Sequence, residues 1–144
     1  MEQPEIEYRN VIPDIDSFFN IFESTGWNIR YKKTKESLYS AIIDSWFAIS
    51  AYINDDLVGF GRVISDGSLH AFIVDLIIIP QYQGKGIGKA ILEKLVAEIK
   101  NNGIRDIQLC CAKGKKEFYI KCGFTERPED APGMQYYNVS EANL

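Results

Sequence analysis

FIVDLIIIPQYQGKGIGKAILEKLVAEIK, residues 72–100, is the stretch whose reading decides the fold. From Phe72 to Ile79 every residue except Asp75 is β-branched, aromatic or aliphatic, and Pro80 stops the run. It is too short to cross a membrane and predicts a strand buried on both faces. Past the glycines, Ile87, Ile91, Leu92, Leu95, Val96 and Ile99 recur at helical spacing on one side, with Lys89, Glu93, Lys94 and Lys100 opposite. The stretch therefore predicts a strand, a tight basic loop and a helix.

The loop is Gln83-Gly84-Lys85-Gly86-Ile87-Gly88. Its three glycines permit positive φ and close approach of backbone to a ligand, so their amides are expected to converge on one concavity. The first turn of a helix has unpaired N–H groups and a partial positive charge, which acidic residues usually offset. Here Lys85 and Lys89 add positive charge instead. The missing partner is an anion, and phosphate or pyrophosphate fits best. A Walker A loop is excluded because Gly88-Lys89 is followed by Ala90 rather than Ser or Thr. A dinucleotide fingerprint fits poorly, since its third glycine would come one residue early, at Gly88.

Gln83-x-x-Gly86-x-Gly88 behind a buried strand and Pro80 resembles the GNAT superfamily of acetyl-coenzyme A-dependent N-acetyltransferases. A second signature of that family, Phe-Tyr-x-x-x-Gly-Phe, stands at Phe118-Tyr119-Ile120-Lys121-Cys122-Gly123-Phe124. The two cover roughly residues 57–125, and the tail from Arg127-Pro128 to Pro132-Gly133-Met134 is also similar to many bacterial members. The resemblance implies an α/β (α+β) fold: a mixed, mostly antiparallel sheet flanked by helices, with a splayed parallel strand pair at the cofactor site. It implies acetyl-coenzyme A as donor, with the pyrophosphate on Gln83, Gly84, Lys85, Gly86, Ile87, Gly88 and Lys89. The pantetheine arm would pair with the backbone of Leu76, Ile77 and Ile78, and Phe118 and Tyr119 would complete the contacts. No metal is implied, and a homodimer is compatible.

At 144 residues the chain is about one domain long, and residues 1–144 are expected to form a single domain. A domain of this size buries roughly 70% of its unfolded surface and needs no staples. Hydrophobic residues at 46% and charged residues at 25% are ordinary globular usage, with no signal peptide or long apolar segment, so a cytoplasmic protein without membrane contact is expected. A net charge of -4 and a pI near 5.0 argue against nucleic acid as a partner, making the basic loop a site rather than a coat. Cys110, Cys111 and Cys122 match neither a disulfide framework nor a zinc motif and are expected to be reduced and mostly buried.

Outside the central stretch the reading runs in chain order. Ile6 to Ile12 is an edge strand; a helix from Asp14 carries Ile15, Phe18, Phe19 and Phe22 and stops at Thr25-Gly26; Trp27 and Tyr31 lie in a short loop. Thr34 caps a second helix with Leu38, Tyr39, Ile42 and Ile43 on one face, ending near Ser45. Trp46 to Ile53 and Leu57 to Ile64, turning at Asn54-Asp55-Asp56, form an antiparallel meander with the central strand through Ser65-Asp66-Gly67-Ser68. After the stop at Asn102-Gly103, Ile107 to Ala112 lies parallel to the central strand, and a short helix spans Lys115 to Lys121. Phe124 to Glu126 and Gln135 to Val139 are read as a final strand pair.

Moving an acetyl group from a thioester to an amine requires a neutral amine and a protonated leaving thiolate, and proximity supplies much of the rate. Asp75, an acid among Ile73, Val74, Leu76 and Ile77, is costly to bury unless paired or functional. By the resemblance it holds the general-base position, used directly or through water; the structural alternative is a pairing with Arg62 or a backbone amide. Tyr119 by the resemblance sits beside the coenzyme A sulfur, where a phenol of pKa about 10 can protonate the thiolate. The alternative is a packing aromatic. His70, the sole histidine, reads as a surface turn residue rather than a base, and no histidine is placed to activate Cys110 or Cys111 for an acyl-enzyme.

The function expected is direct transfer, in a ternary complex, to the primary amine of a small molecule. Asp44, Asp66 and Asp75 favour a cationic acceptor, and Phe18, Phe22, Trp27, Tyr31, Tyr39 and Trp46 are either pocket lining or, more simply, core. The rival is a non-catalytic sensor binding acyl-coenzyme A or a nucleotide.

Overall fold

The computed structural model describes residues 4–137. Two compact units divide the chain, Met1–Cys110 and Cys111–Leu144.

The first unit carries strands β1 (Glu7–Arg9), β2 (Phe47–Ile53), β3 (Asp56–Ser65), β4 (His70–Ile78) and β5 (Asp106–Leu109), and helices α1 (Ile15–Glu23), α2 (Asn28–Tyr31), α3 (Lys35–Ile42) and α4 (Ile87–Asn101). Sheet order is β1-β2-β3-β4-β5, antiparallel except for the parallel β4–β5 pair, as the α/β resemblance implies. Local chemistry explains each boundary. Asp14 caps α1 by accepting from the Ser17 amide at 2.9 Å, and Thr34 caps α3 by accepting from the Ser37 amide at 3.1 Å. Asn54 and Asp55 take φ of 49° and 67°, the two left-handed residues of a tight hairpin that fits the strand twist.

Side-chain alternation sorts the sheet into two faces. Phe60, Ala48 and Ile77 bury against Phe18, Ile21 and Phe22 of α1 and Leu38 and Ile42 of α3. On the other face Gly59 and Gly61 leave room for α4. A Cβ at residue 61 would lie 2.9 Å from Ile91 Cγ2 and 3.1 Å from Leu95 Cδ1. The predicted apolar side of α4 is the buried one: Ile87, Ile91, Leu92, Leu95 and Ile99 are all at most 1% exposed.

Several expectations need correction. The first strand is shorter than Ile6–Ile12, because the chain leaves β2 after Arg9↔Ser50 and the Val11 carbonyl instead accepts from the buried Ser50 hydroxyl. Trp27 and Tyr31 belong to a helical turn rather than a loop: the Thr25 hydroxyl accepts from the Trp27 amide, and Lys32 at φ 53° ends the turn. The parallel strand stops at Leu109, short of Ala112. The cysteines are not mostly buried, since Cys110 and Cys111 lie beyond that strand and are exposed, while Cys122 is half-buried.

The second unit contains α5 (Lys116–Lys121). Its motif has a physical reason. Gly123, at φ 96°, reverses the chain so that its amide donates to the Ile120 carbonyl (3.1 Å) and the Phe124 amide to the Tyr119 carbonyl (3.0 Å). This helix-ending closure brings Phe124 back against Tyr119, ring centroids 6.1 Å apart. With its amide committed there, Phe124 starts no strand, and Glu126 instead pairs with Lys116. Residues 124–137 are irregular, so the expected strand Phe124–Glu126 is absent and the described part of Gln135–Val139 is not a strand. Residues 138–139 of that expectation lie outside the described range.

Candidate functional site

Strand β4 pairs with β5 only from His70↔Asp106 to Ile73↔Leu109, yet it continues to Ile78. Two residues past the last pair, β4 carries an irregularity. Against β3 the register runs Arg62↔Val74 and then Phe60↔Ile77, so Asp75 and Leu76 together oppose Gly61. Asp75 absorbs the extra residue with φ 55°, the left-handed region that Asp tolerates better than most side chains. The bulge also inverts the alternation beyond it. Leu76 and Ile78 turn toward Gly61 and Gly59 on the α4 face, and Ile77 enters the core under α1 and α3. Because β5 ends at Leu109, opposite Ile73, the β5-side backbone of Leu76, Ile77 and Ile78 has no strand partner among the described residues, as a site for an extended ligand requires.

Beyond Ile78 the chain makes one 3₁₀ turn, Pro80–Tyr82, and enters the glycine loop. Gly84 and Gly86 have φ of 77° and 85°, and a Cβ on either would meet nothing within 4 Å, so backbone conformation and not crowding requires glycine there. Gly88 differs from the expectation of three left-handed glycines: it lies within the first turn of α4. The first amide to find an acceptor in the new helix is that of Ala90, which donates to the Gly86 carbonyl at 3.1 Å. The amides before it are those a helix start leaves open, and no acidic residue sits in that first turn. Lys89 lies 3.8 Å from Glu93, while the Lys85 ammonium rests 5.3 Å above the Tyr82 ring. Gln83 donates from its side chain to the Ile78 carbonyl at 2.9 Å and from its amide to the Pro80 carbonyl. It braces the loop against the end of β4, a role the motif spacing does not disclose.

Asp75 realises the structural alternative weighed for it. Arg62 Nε donates to Asp75 Oδ2 at 2.7 Å, and the two side chains are only 12% and 22% exposed. This satisfies the half-buried acid and leaves its other oxygen for a further donor.

Tyr119 lies in the second unit, edge-on to Phe118 with ring centroids 5.0 Å apart. Burial pushes its phenol up to about 12, with the charges of Cys111 and Cys122 adding to the shift. At neutral pH it is a hydrogen-bond donor. Complete transfer of its proton to a thiolate of ordinary pKa near 8.5 would be uphill, so hydrogen-bond donation is the chemistry its phenol offers best.

Several other candidates are placed elsewhere. His70 is the first residue of β4, so the whole strand separates it from the glycine loop; its Nδ1 lies 2.5 Å from Asp106 Oδ2. Asp66 Oδ1 accepts from the amides of Ser68, Leu69 and His70, which hold its carboxyl below the usual range and shape the β3–β4 turn. Phe18 and Phe22 are core, Tyr39 is half-buried and donates to the Pro13 carbonyl, and Tyr31 is exposed. Packing thus accounts for the two phenylalanines.

Comparison with known proteins agrees with the geometry. The model of the acetyltransferase (GNAT) family matches residues 13–124. The uncharacterized N-acetyltransferase ycf52 of Pyropia yezoensis is 31% identical over 140 residues, covering 92% of this chain and 80% of that protein. The chloroplastic serotonin N-acetyltransferase 2 of Oryza sativa subsp. japonica is 35% identical over 128 residues, covering 86% of this chain and 62% of that one. Among solved structures, the PaiA N-acetyltransferase of Thermoplasma acidophilum in complex with coenzyme A superposes with a TM-score of 0.69 at 26% identity, covering 85% of this chain and 91% of that one. A match over most of the chain, on the same parted strand and glycine-led helix that the fold itself displays, establishes that this chain belongs to the GNAT acetyltransferase family.

Proposed function

We propose that the chain transfers the acetyl group of acetyl-coenzyme A directly to the primary amine of a small molecule, both substrates being bound together. The observation that carries this reading is the continuity of two open backbone surfaces. The side of Leu76, Ile77 and Ile78 that no strand pairs runs past the Gln83 side chain, which holds the Ile78 carbonyl, into the uncapped amides from Gly84 to Lys89. An extended amide-bearing arm that ends in a pyrophosphate matches such a surface in both shape and charge. The solved relative's complex with coenzyme A supports the same donor.

In this reading the loop amides and Lys85 hold the pyrophosphate, and the bulge lets the pantetheine lie along β4. Tyr119, with Phe118 beside it, donates to the departing sulfur, a placement that rests on the family motif. The free oxygen of Asp75 takes the amine proton, directly or through a water. Proximity does most of the work, and no acyl-enzyme is needed. An acceptor that arrives as a cation fits the chain's net charge of -4. The rice relative's name makes arylalkylamines the first acceptors to try. Cytoplasmic residence remains part of this proposal.

The test is thiol release from acetyl-coenzyme A with a panel of arylalkylamines, polyamines, lysine-like compounds, and neutral and acidic acceptors. Saturable release with at least one cationic primary amine is expected. Binding of acetyl-coenzyme A without turnover on any acceptor would make the chain a sensor. Preference for acidic or neutral acceptors would sink the cationic assignment alone.

A further inference from the structure

We propose that Arg62 is a positioning residue for the donor site: by clamping Asp75 it holds β4 in the left-handed bulge that parts it from β5, and so sets the affinity for acetyl-coenzyme A without touching it. The inference rests on the donor site proposed above.

A left-handed residue is disfavoured for any side chain, Asp included, and persists where its surroundings over-determine it. At Asp75 the fixing contact comes from the neighbouring strand. Arg62 pairs in register with Val74 and reaches one residue along to Asp75 Oδ2 at 2.7 Å. In a regular strand residue 75 would point to the face opposite Val74, toward α4. The φ of 55° returns its carboxylate to the face of Val74 and Arg62, so the ion pair and the bulge exist only together. Both side chains are largely shielded, so removing either one leaves the other's charge without its partner.

The consequence reaches the ligand. Without the bulge Leu76 would leave the α4 face and Ile77 the core beneath α1, while the strand lost the kink at which it leaves β5. A ligand that needs the parted strand must then restore it, and its apparent affinity falls by the fraction of molecules that remain bulged.

Three variants isolate the clamp: Arg62→Met removes the charge at similar length, Arg62→Lys keeps it, and Arg62→Met with Asp75→Gly supplies a residue that takes positive φ unaided while leaving no unpaired partner. Acetyl-coenzyme A affinity is read by calorimetry, and the bulge by the intraresidue amide-to-Hα nuclear Overhauser effect of residue 75, strong at positive φ and weak in extended backbone. Arg62→Met is expected to weaken binding by about 5- to 10-fold, the lower range by which L-residues disfavour the left-handed region, and to lose the strong signal. Arg62→Lys should restore most of both, and the double variant should bind within about 2-fold of wild type. Unchanged affinity in Arg62→Met, or a double variant as weak as Arg62→Met, overturns the proposal. So does an undiminished signal in Arg62→Met, which reads the bulge with no ligand present. A wild-type chain that binds no acetyl-coenzyme A would instead overturn the donor-site reading, and the signal would still decide on the clamp.

Discussion

Replacing Gly61 by valine tests how the helix behind the glycine loop is held in place. A Cβ at residue 61 would meet Ile91 Cγ2 at 2.9 Å, Leu95 Cδ1 at 3.1 Å and Leu76 Cδ1 at 3.2 Å. All three are side-chain ends, which often yield, but Ile91 and Leu95 are completely buried and have nowhere to go. For alanine two effects nearly cancel. Relief of glycine's entropic cost in a strand stabilises by roughly 0.5–1 kcal/mol, and a contact a few tenths of an ångström too close costs about as much. Valine adds two more methyl groups to the same space, and overpacking then dominates, with an expected loss of about 2–3 kcal/mol. In urea denaturation the midpoint should fall with the slope unchanged, and the melting temperature should drop by roughly 10 °C for a chain of this length. Because Ile91 lies one turn from Ile87 at the start of α4, the displaced helix should also bind acetyl-coenzyme A more weakly. Gly133→Val is the control, since a Cβ there meets nothing within 4 Å, and it should stay within about 0.5 kcal/mol of wild type. A Gly61→Val protein as stable as wild type would refute the seating of α4 on the glycines of β3.

Two further outcomes are expected. Gly84→Val with Gly86→Val should abolish acetyl-coenzyme A binding in calorimetry while the circular dichroism spectrum stays native, because both residues need positive φ but neither is crowded; unchanged affinity would remove the pyrophosphate from this loop. Tyr119→Phe should lower kcat by roughly 10²-fold or more with little change in KM, and should abolish one component of alkaline destabilisation. The unfolded phenol loses its proton near pH 10 and the folded one near 12, so wild type holds this contribution below pH 10 and loses it between 10 and 12, whereas the variant has none to lose. Equal kcat, with chemistry rate-limiting, would leave Tyr119 a packing residue.

The central unit was legible in sequence because two different periodicities meet within it. An apolar run stopped by Pro80 cannot be extended as a strand, and the offsets of Ile87 to Ile99 repeat at helical spacing, so β4, the loop and α4 follow from local rules. The tail was not legible for the opposite reason. Phe124 has strand propensity, but its amide closes the end of α5, a commitment created by Gly123 rather than by Phe124 itself. The exposed Cys110 and Cys111 failed similarly, since their burial depended on where β5 ends, and no residue type marks Leu109 as its end. Gly59 and Gly61 carried an unread signal. Two glycines flanking Phe60 in a strand indicate close approach on the face opposite the phenylalanine, and α4 occupies that face.

Asp75 shows why the deciding feature of the site was the hardest to read. In VDLIII every position but one is apolar, so sliding the alternation by one residue changes no hydropathy count: Leu76, Ile77 and Ile78 suit either face. Such a sequence is permissive toward a bulge, and the lone acid is what locates it. Placed in regular alternation, Asp75 would point at the underside of α4 among Ile91 and Leu95, where a carboxylate has no partner. Left-handed backbone is the lesser cost, since it brings the carboxylate to the face of Arg62 and a charge-assisted hydrogen bond offsets the strain. The same choice gives Leu76 to the helix that follows the glycine loop, on the stretch of β4 that β5 does not pair. Core packing and the shape of the proposed donor surface are thus two results of one aspartate avoiding one apolar face.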